Sequence, residues 1–394
     1  MPIAPLFLAA LAGTFTVDDD GPADFADLPA AVAAVQAGDV LLVEPGSYTA
    51  FSLDKELVLL GPPGGPLPRV AGISTVQGTP GFAIRGLHFE LLRLEQVSGR
   101  GLLDGCRLGD FPGPPGPPLG PALFAQDCAQ LEVSRCVLIG PDSPTGFGQL
   151  GARVLGSTAA FTHCVLRGGT SSGVGLNGGD GLVVAAASTA LVQGCSAKGG
   201  AGGPSFLGST DAGGYGLVVV GSTMDLRGSS SDTFEGGTDD FGQVAGVRVS
   251  FSGELLWSGV SIVQGIEVLG ATATEVDPVE PYLRVDGQDG PGNLRRAKVY
   301  GTAGNPALLV AAAGPALAPW TPAGGSTELI WIDLGALLQV FPLVLQGQDT
   351  PSAVDFPVPA LPGLEGAVLR LQAVVLELPL GGLALTGPGN VIAG

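Results

Sequence analysis

The side chains best placed for chemistry are two cations and an acid at matching points of successive repeats: Arg167, Lys198 and Asp232. Each stands three residues after one recurring position, held by Cys164, Cys195 and Ser229. Side chains so spaced stack into a ladder, and a ladder of exposed opposite charges is worth little by itself. A second group sits in four Gly-rich loops, residues 141–150, 170–180, 201–215 and 234–245. These loops hold Asp142, Asp180, Asp211, Glu235, Asp239 and Asp240, together with Phe206, Tyr215, Phe234 and Phe241. Oxygen-rich, flexible loops can bind Ca²⁺, and aromatic rings can stack on sugars. The candidate ligand-binding residues are therefore Asp180, Asp211, Tyr215, Phe234, Asp239 and Asp240. The alternative is that such loops are plain soluble turns. With no EF-hand loop and no RTX nonapeptide present, no metal ligands are assigned, and Ca²⁺ is the one cofactor left open.

The remaining reactive residues are few. There are two histidines and five cysteines. His163 falls at a tight turn, where histidine tolerates positive φ, and His88 points outward from a strand; both read as surface residues. An odd number of cysteines does not describe a disulfide framework, and no CxxC or Cys/His pair has metal-ligand spacing.

Composition limits what must position these groups. Glycine (66) and proline (33) make up a quarter of 394 residues, yet 45% are hydrophobic, too many for a disordered chain. This balance predicts short strands joined by tight turns. The net charge of -19 repels phosphate backbones, which argues against nucleic-acid binding. The opening MPIAPLFLAALAG is apolar but too short to span a bilayer. Ala10-Leu11-Ala12 has the form of a signal-peptidase site, so residues 1–12 read as an export signal, or alternatively as a first capping strand. No transmembrane segment is expected.

The cysteines reveal the architecture. Cys106, Cys136, Cys164 and Cys195 lie in LLDGCRLG, EVSRCVLIG, FTHCVLRGG and LVQGCSAKGG, and the pattern extends to Leu87, Ser229 and Val260. The period is close to 30. Upstream runs a second column: GARVLGS, GLVVAAAS, GLVVVGS and GVRVSFS, with PALFAQD in the same place. Each unit reads strand, turn, strand, tight turn, strand and Gly-rich loop, the signature of a β-solenoid. Alternation places the cysteines indoors as small hydrophobes. Gly86, Gly105, Gly194, Gly228 and Gly259, with Arg135 and His163, mark a bend of positive φ.

The opening TFTVDDDGPADFADLPAAVAAVQAGDVLLVEPGSYTAFSLDKELVLLG resembles the N-terminal cap and first coil of the pectate-lyase-like superfamily. That resemblance covers about residues 14–265 and implies a right-handed parallel β-helix, plugged by a short helix within residues 24–37. Residues 13–270 are assigned to it and residues 271–281 to a linker. The period is then lost, and seven strand-like runs in residues 282–394 (282–285, 307–312, 328–334, 340–345, 353–358, 367–376 and 382–385) suit an antiparallel β-sandwich. The ending resembles a C-terminal sandwich module of secreted bacterial proteins, which implies a role in attachment or assembly.

The superfamily includes lyases, hydrolases, esterases and inert coils, and fold alone does not choose among them. Its catalytic members carry acids and bases on the outward face of the first strand of each coil. Here those positions are expected at Leu123, Arg153, Val183, Val218 and Arg248, none a carboxylate, so an acid/base pair is not expected there. Gly46-Ser47-Tyr48-Thr49-Ala50 lacks the Glu of pectin methylesterases. Of the polygalacturonase motifs only Asp239-Asp240 is present. In some β-helix lyases a Lys base stands beside an Arg clamp; by that resemblance Lys198 would be the base and Arg167 the clamp. The preferred expectation is a secreted or cell-surface, non-catalytic protein that binds a polysaccharide or a cell-surface component. The alternative is a polysaccharide lyase or hydrolase acting on an acidic glycan.

Overall fold

The computed structural model describes residues 13–111, 120–204, 213–239, 242–276, 281–287, 294–313, 337–347, 350–357, 368–377, 382–386 and 389–392. Its first part is a parallel β-helix. An 11-stranded sheet runs from Thr14–Val17 to Thr272–Glu275, every neighbouring pair parallel. A 16-stranded sheet supplies the other two faces and folds over along the long strands Arg69–Gln77 and His88–Glu95. One coil shows the scheme: Leu123–Gln126, then Gln130–Ser134, then Val137–Ile139, and a loop to Ala152–Leu155 of the next coil.

Strand alternation builds the core, because every second side chain points indoors and meets its equivalents one rung, about 4.8 Å, away. Phe89, Leu108, Leu138, Leu166, Ala197 and Phe234 form one such inward stack. Cys106, Cys136, Cys164 and Cys195 form another. Cys136 Sγ lies 3.4 Å from the Cys106 amide, and Cys195 Sγ lies 3.2 Å from the Cys164 amide. All five cysteines are free and buried. Burial pushes the thiols of Cys106, Cys136 and Cys164 well up, so they pack as apolar groups.

The bend after the second strand has positive φ at Gly86, Gly105, Arg135, His163, Gly194 and Gly259. Gly228 does not share it. There the chain makes an extra turn, in which Asp232 accepts hydrogen bonds from the Ser229 amide (2.8 Å) and hydroxyl (3.1 Å). The N-terminal end is plugged by helix Leu28–Ala34, capped by Asp27 and burying Leu28, Ala31 and Val32. Tyr48, the tyrosine of the Gly-x-Tyr turn, is buried beneath it and donates to the Glu44 carbonyl (2.8 Å).

Residues 271–281, expected as a linker, contain a last rung instead: Thr272–Glu275 pairs in parallel with Glu254–Ser258. Beyond it two antiparallel sheets share a core that includes Leu283, Val299, Leu309 and Leu371. One holds Tyr282–Gly287, Leu294–Tyr300 and Ser352–Pro357. The other holds Leu337–Val344, Pro306–Ala313, Val368–Glu377, Gly382–Leu385 and Gly389–Ile392. Strands Leu294–Tyr300 and Gly389–Ile392 had not been expected, and the run at 328–334 lies outside the described residues.

Candidate functional site

Arg167 and Lys198 end the third strands of two successive coils and are register partners. The next rung carries Glu235, whose Oε2 lies 3.0 Å from Lys198 Nζ. The expected acid, Asp232, is absent from this ladder. The Ser229–Asp232 turn lengthens its coil by three residues and passes the position to Glu235. Val165, Arg167, Ser196, Lys198, Thr233 and Glu235 line an open groove of about 260 Å³. Among the described residues Arg167 has no carboxylate partner. Lys198 leaves 57% of its side chain in water. A lysine used as a base is normally buried, whereas this one is exposed and paired with Glu235.

The first-strand face needs one correction. Leu123 pairs with Ala152, and Phe124 pairs with Arg153. Leu123 therefore points into the core and Phe124 outward, because a slip of one residue exchanges the two faces. The outward column reads Arg93, Phe124, Arg153, Val183, Val218, Arg248 and Glu267. It does hold a carboxylate, Glu267, which sequence reasoning missed because the last coil is short. Arg93 lies over the Phe124 ring at 5.4 Å.

Two predicted ligand residues, Asp180 and Tyr215, do come together on this side. The Tyr215 amide donates to Asp180 Oδ1 (2.7 Å), its hydroxyl donates to Glu267 Oε2 (2.5 Å), and Arg248 lies over its ring at 5.4 Å. These bonds join four rungs into a strut. Burial pushes the Asp180 carboxyl up to about 6, against the Tyr215 amide and the charge of Arg248. For a carboxyl so raised, the native state holds its proton more tightly than the unfolded chain. Its stabilising effect is full below the ordinary value of 3.8 and is lost as pH rises through about 6. Asp180→Asn keeps the acceptor and removes the titration. It is expected to raise the melting temperature at pH 8 and leave it unchanged at pH 4; equal shifts at both pH values would contradict this account.

The other candidates are placed differently. Phe234 is fully buried in the coil core and cannot stack on a ligand. Asp211 and Asp240 lie outside the described residues. Asp239 pairs through its backbone with Gly242. His88 is buried, with Nε2 2.9 Å from the Gly109 carbonyl and its ring against Phe111, so it is no surface residue. Among the described residues, converging acids occur at Asp18, Asp19 and Asp20, where one oxygen of each lies within 4.8 Å of the others. They belong to the N-terminal cap and not to the Gly-rich loops for which Ca²⁺ was left open.

The Gly-rich loops are not independent flexible turns. Their outgoing and returning limbs hydrogen-bond in one ladder: Gly169 N to Gln149 O, Gly179 N to Gly169 O, Gly200 N to Gly179 O, Gly214 N to Gly200 O and Gly237 N to Gly214 O, at 2.7–2.9 Å. Backbones approach so closely that a methyl group on Gly179 would lie 2.0 Å from Gln149 O, and one on Gly200 1.9 Å from Gly169 O. The loops thus form a packed flange between the strands carrying Lys198 and those carrying Val218.

A third feature lies where the second strands end. Arg85, Asp104, Ser134, Thr162, Gln193, Arg227 and Ser258 are register neighbours on seven rungs, all buried although polar. The C-terminal sandwich covers this column. Gln193 Nε2 (2.5 Å) and His163 Nε2 (3.0 Å) both donate to the Leu283 carbonyl. Buried Arg295 joins Arg85, Arg135 and Asp104; burial, with the charge of Arg135, lowers its guanidinium to about 10. The sandwich therefore lies along the solenoid's flank, and His163 is a contact residue, not the surface residue expected.

No protein-family model and no curated protein matches the chain. Among solved structures it is similar to full-length tailspike protein 2 (TSP2, ORF211) of Escherichia coli O157:H7 bacteriophage CAB120, at 10% identity and a TM-score of 0.30. The match covers 98% of this chain and 64% of that one, so the chain spans less than two thirds of the tailspike's length. The strand pairing itself decides the architecture. The chain is a parallel β-helix protein with a C-terminal antiparallel sandwich.

Proposed function

We propose that this is an exported, surface-associated or extracellular β-helix protein that binds an acidic glycan without cleaving it. The groove over Arg167, Lys198 and Glu235 is the contact. The supporting observation is the register of Arg167 beside Lys198 on an open face of a chain whose net charge is -19. Two cations one rung apart are a local exception to that charge, and carboxylates of a polyuronate would meet them. The groove is smaller than the roughly 300–1,000 Å³ of enclosed ligand sites. A polymer would thus be held along one edge, weakly and with strong salt dependence.

Affinity electrophoresis through gels containing polygalacturonate or alginate tests this. Arg167→Ala with Lys198→Ala is expected to weaken retardation about tenfold, equivalent to roughly 1.4 kcal/mol, with the fold intact by circular dichroism. Equal retardation of variant and native protein would overturn the assignment. Release of unsaturated products, lost on Lys198→Ala, would establish a lyase instead.

A further inference from the structure

The groove over Arg167 and Lys198 has two unlike flanks. Along the solenoid axis its outward column reads Gly109, Ile139, Arg167, Lys198 and Glu235, one residue per rung. Before Arg167 the wall is uncharged, and Ile139 and Val165 are half-buried apolar side chains there. After Lys198 the wall is an acid, beside the hydroxyls of Ser196 and Thr233. The two cations also differ. Lys198 shares its charge with Glu235 at 3.0 Å, so the unshared cation among the described residues of this column is Arg167. Rungs lie about 4.8 Å apart, so an extended polysaccharide lying along the column presents roughly one sugar to each rung.

Resting on the reading of this groove as a glycan contact, we infer that Glu235 sets the charge spacing of the ligand. The groove selects a heteropolysaccharide in which an isolated carboxylate is flanked by uncharged sugars over one charged at every sugar. A carboxylate between Arg167 and Lys198 meets both cations. A second, on the next sugar, lies against Glu235, where like charges repel and Lys198 is already engaged. One on the preceding sugar loses water against Ile139 and Val165 and gains no partner. Uncharged sugars suit both flanks: a C–H face packs on Ile139 and Val165, and hydroxyls donate to Glu235. A polyuronate is still held through the carboxylate in register with Arg167, but less tightly. Glu235 thus acts as a specificity-determining residue, because an acid set against the wrong ligand weakens the right one little.

Affinity electrophoresis of the full chain tests this in two gels. One contains alginate, charged at every sugar; the other contains the same alginate with most carboxylates converted at random to methylamides. Diluting the charge also relieves general repulsion of a protein carrying -19, so the readout is the effect of Glu235→Gln on each polymer. That substitution keeps the acceptor and removes the charge. It is expected to tighten binding to alginate about tenfold and to the amidated polymer no more than about threefold, with an unchanged circular dichroism spectrum. Both polymers gain from the freed Lys198, but only alginate brings a second carboxylate to Glu235. Glu254→Gln removes an equal charge from an exposed site on the 11-stranded sheet and should leave the ratio between the polymers as in the native protein. Equal gains on both polymers, or no gain on either while the native protein is retarded, would overturn the inference and leave the glycan contact standing. No retardation of the native protein or of Glu235→Gln by either polymer would overturn the contact itself, and the inference with it.

Discussion

Asp104→Ala is expected to cost about 3–5 kcal/mol of stability, the range for removing one partner of a buried charge cluster. Asp104 is fully buried at the junction of solenoid and sandwich. Arg135 grips it through both Nε (2.9 Å to Oδ1) and Nη2. Arg85 and Arg295 are within its electrostatic reach. Burial and mutual repulsion already lower both of those guanidiniums, and Asp104 is the charge that opposes this. Its removal leaves three arginines facing each other out of water. Denaturant unfolding monitored by circular dichroism measures the loss, and Arg295→Leu in the same background should recover part of it by removing one of three neighbouring like charges. A loss below about 1 kcal/mol, the scale of an exposed pair, would mean that the cluster does not depend on Asp104.

Gly200→Ala is expected to disrupt the flange, whereas Gly105→Ala is expected to be mild. A Cβ on Gly200 meets the Gly169 carbonyl oxygen at 1.9 Å and its carbon at 2.5 Å, both backbone atoms held by the ladder. The strands must part, at a cost of about 1–3 kcal/mol or more for overpacking. A Cβ on Gly105 meets nothing within 4 Å. Its positive φ costs alanine only about 1–2 kcal/mol, and Arg135 and His163 occupy the same bend in other coils. Hydrogen exchange separates the two cases. Gly200→Ala should lose amide protection across residues 168–181 and 199–204, with the coil strands still protected. Full protection of those loops would show that the flange is looser than its contacts imply.

The solenoid was legible because its core is periodic. Cys106, Cys136, Cys164 and Cys195 recur at one rung each, and only winding about a single axis stacks them. The capping helix and the bend column were legible for similar reasons: a capped amphipathic turn, and a recurring glycine. The groove was half legible. Arg167 and Lys198 were placed correctly, but the acid was assigned to Asp232, because counting from Ser229 overlooks a turn inserted before the strand. Leu123 was assigned the wrong face by a one-residue slip after a proline-rich stretch of sequence, where no alternation sets the register.

What the chain's own order determined was the set of interactions repeated every coil: strand alternation, inward stacking and the free thiols. What tertiary structure decided was every contact without a period. The covering of the seven-rung polar column by residues near Leu283 and Arg295 depends on segments 90 to more than 200 positions apart. The flange depends on approaches between glycine backbones that leave no trace in side-chain pattern. Periodic burial imprints itself on sequence because each rung must satisfy the same apolar environment. A single docking event, or a close backbone approach, is satisfied once and in space, and leaves no spacing to read.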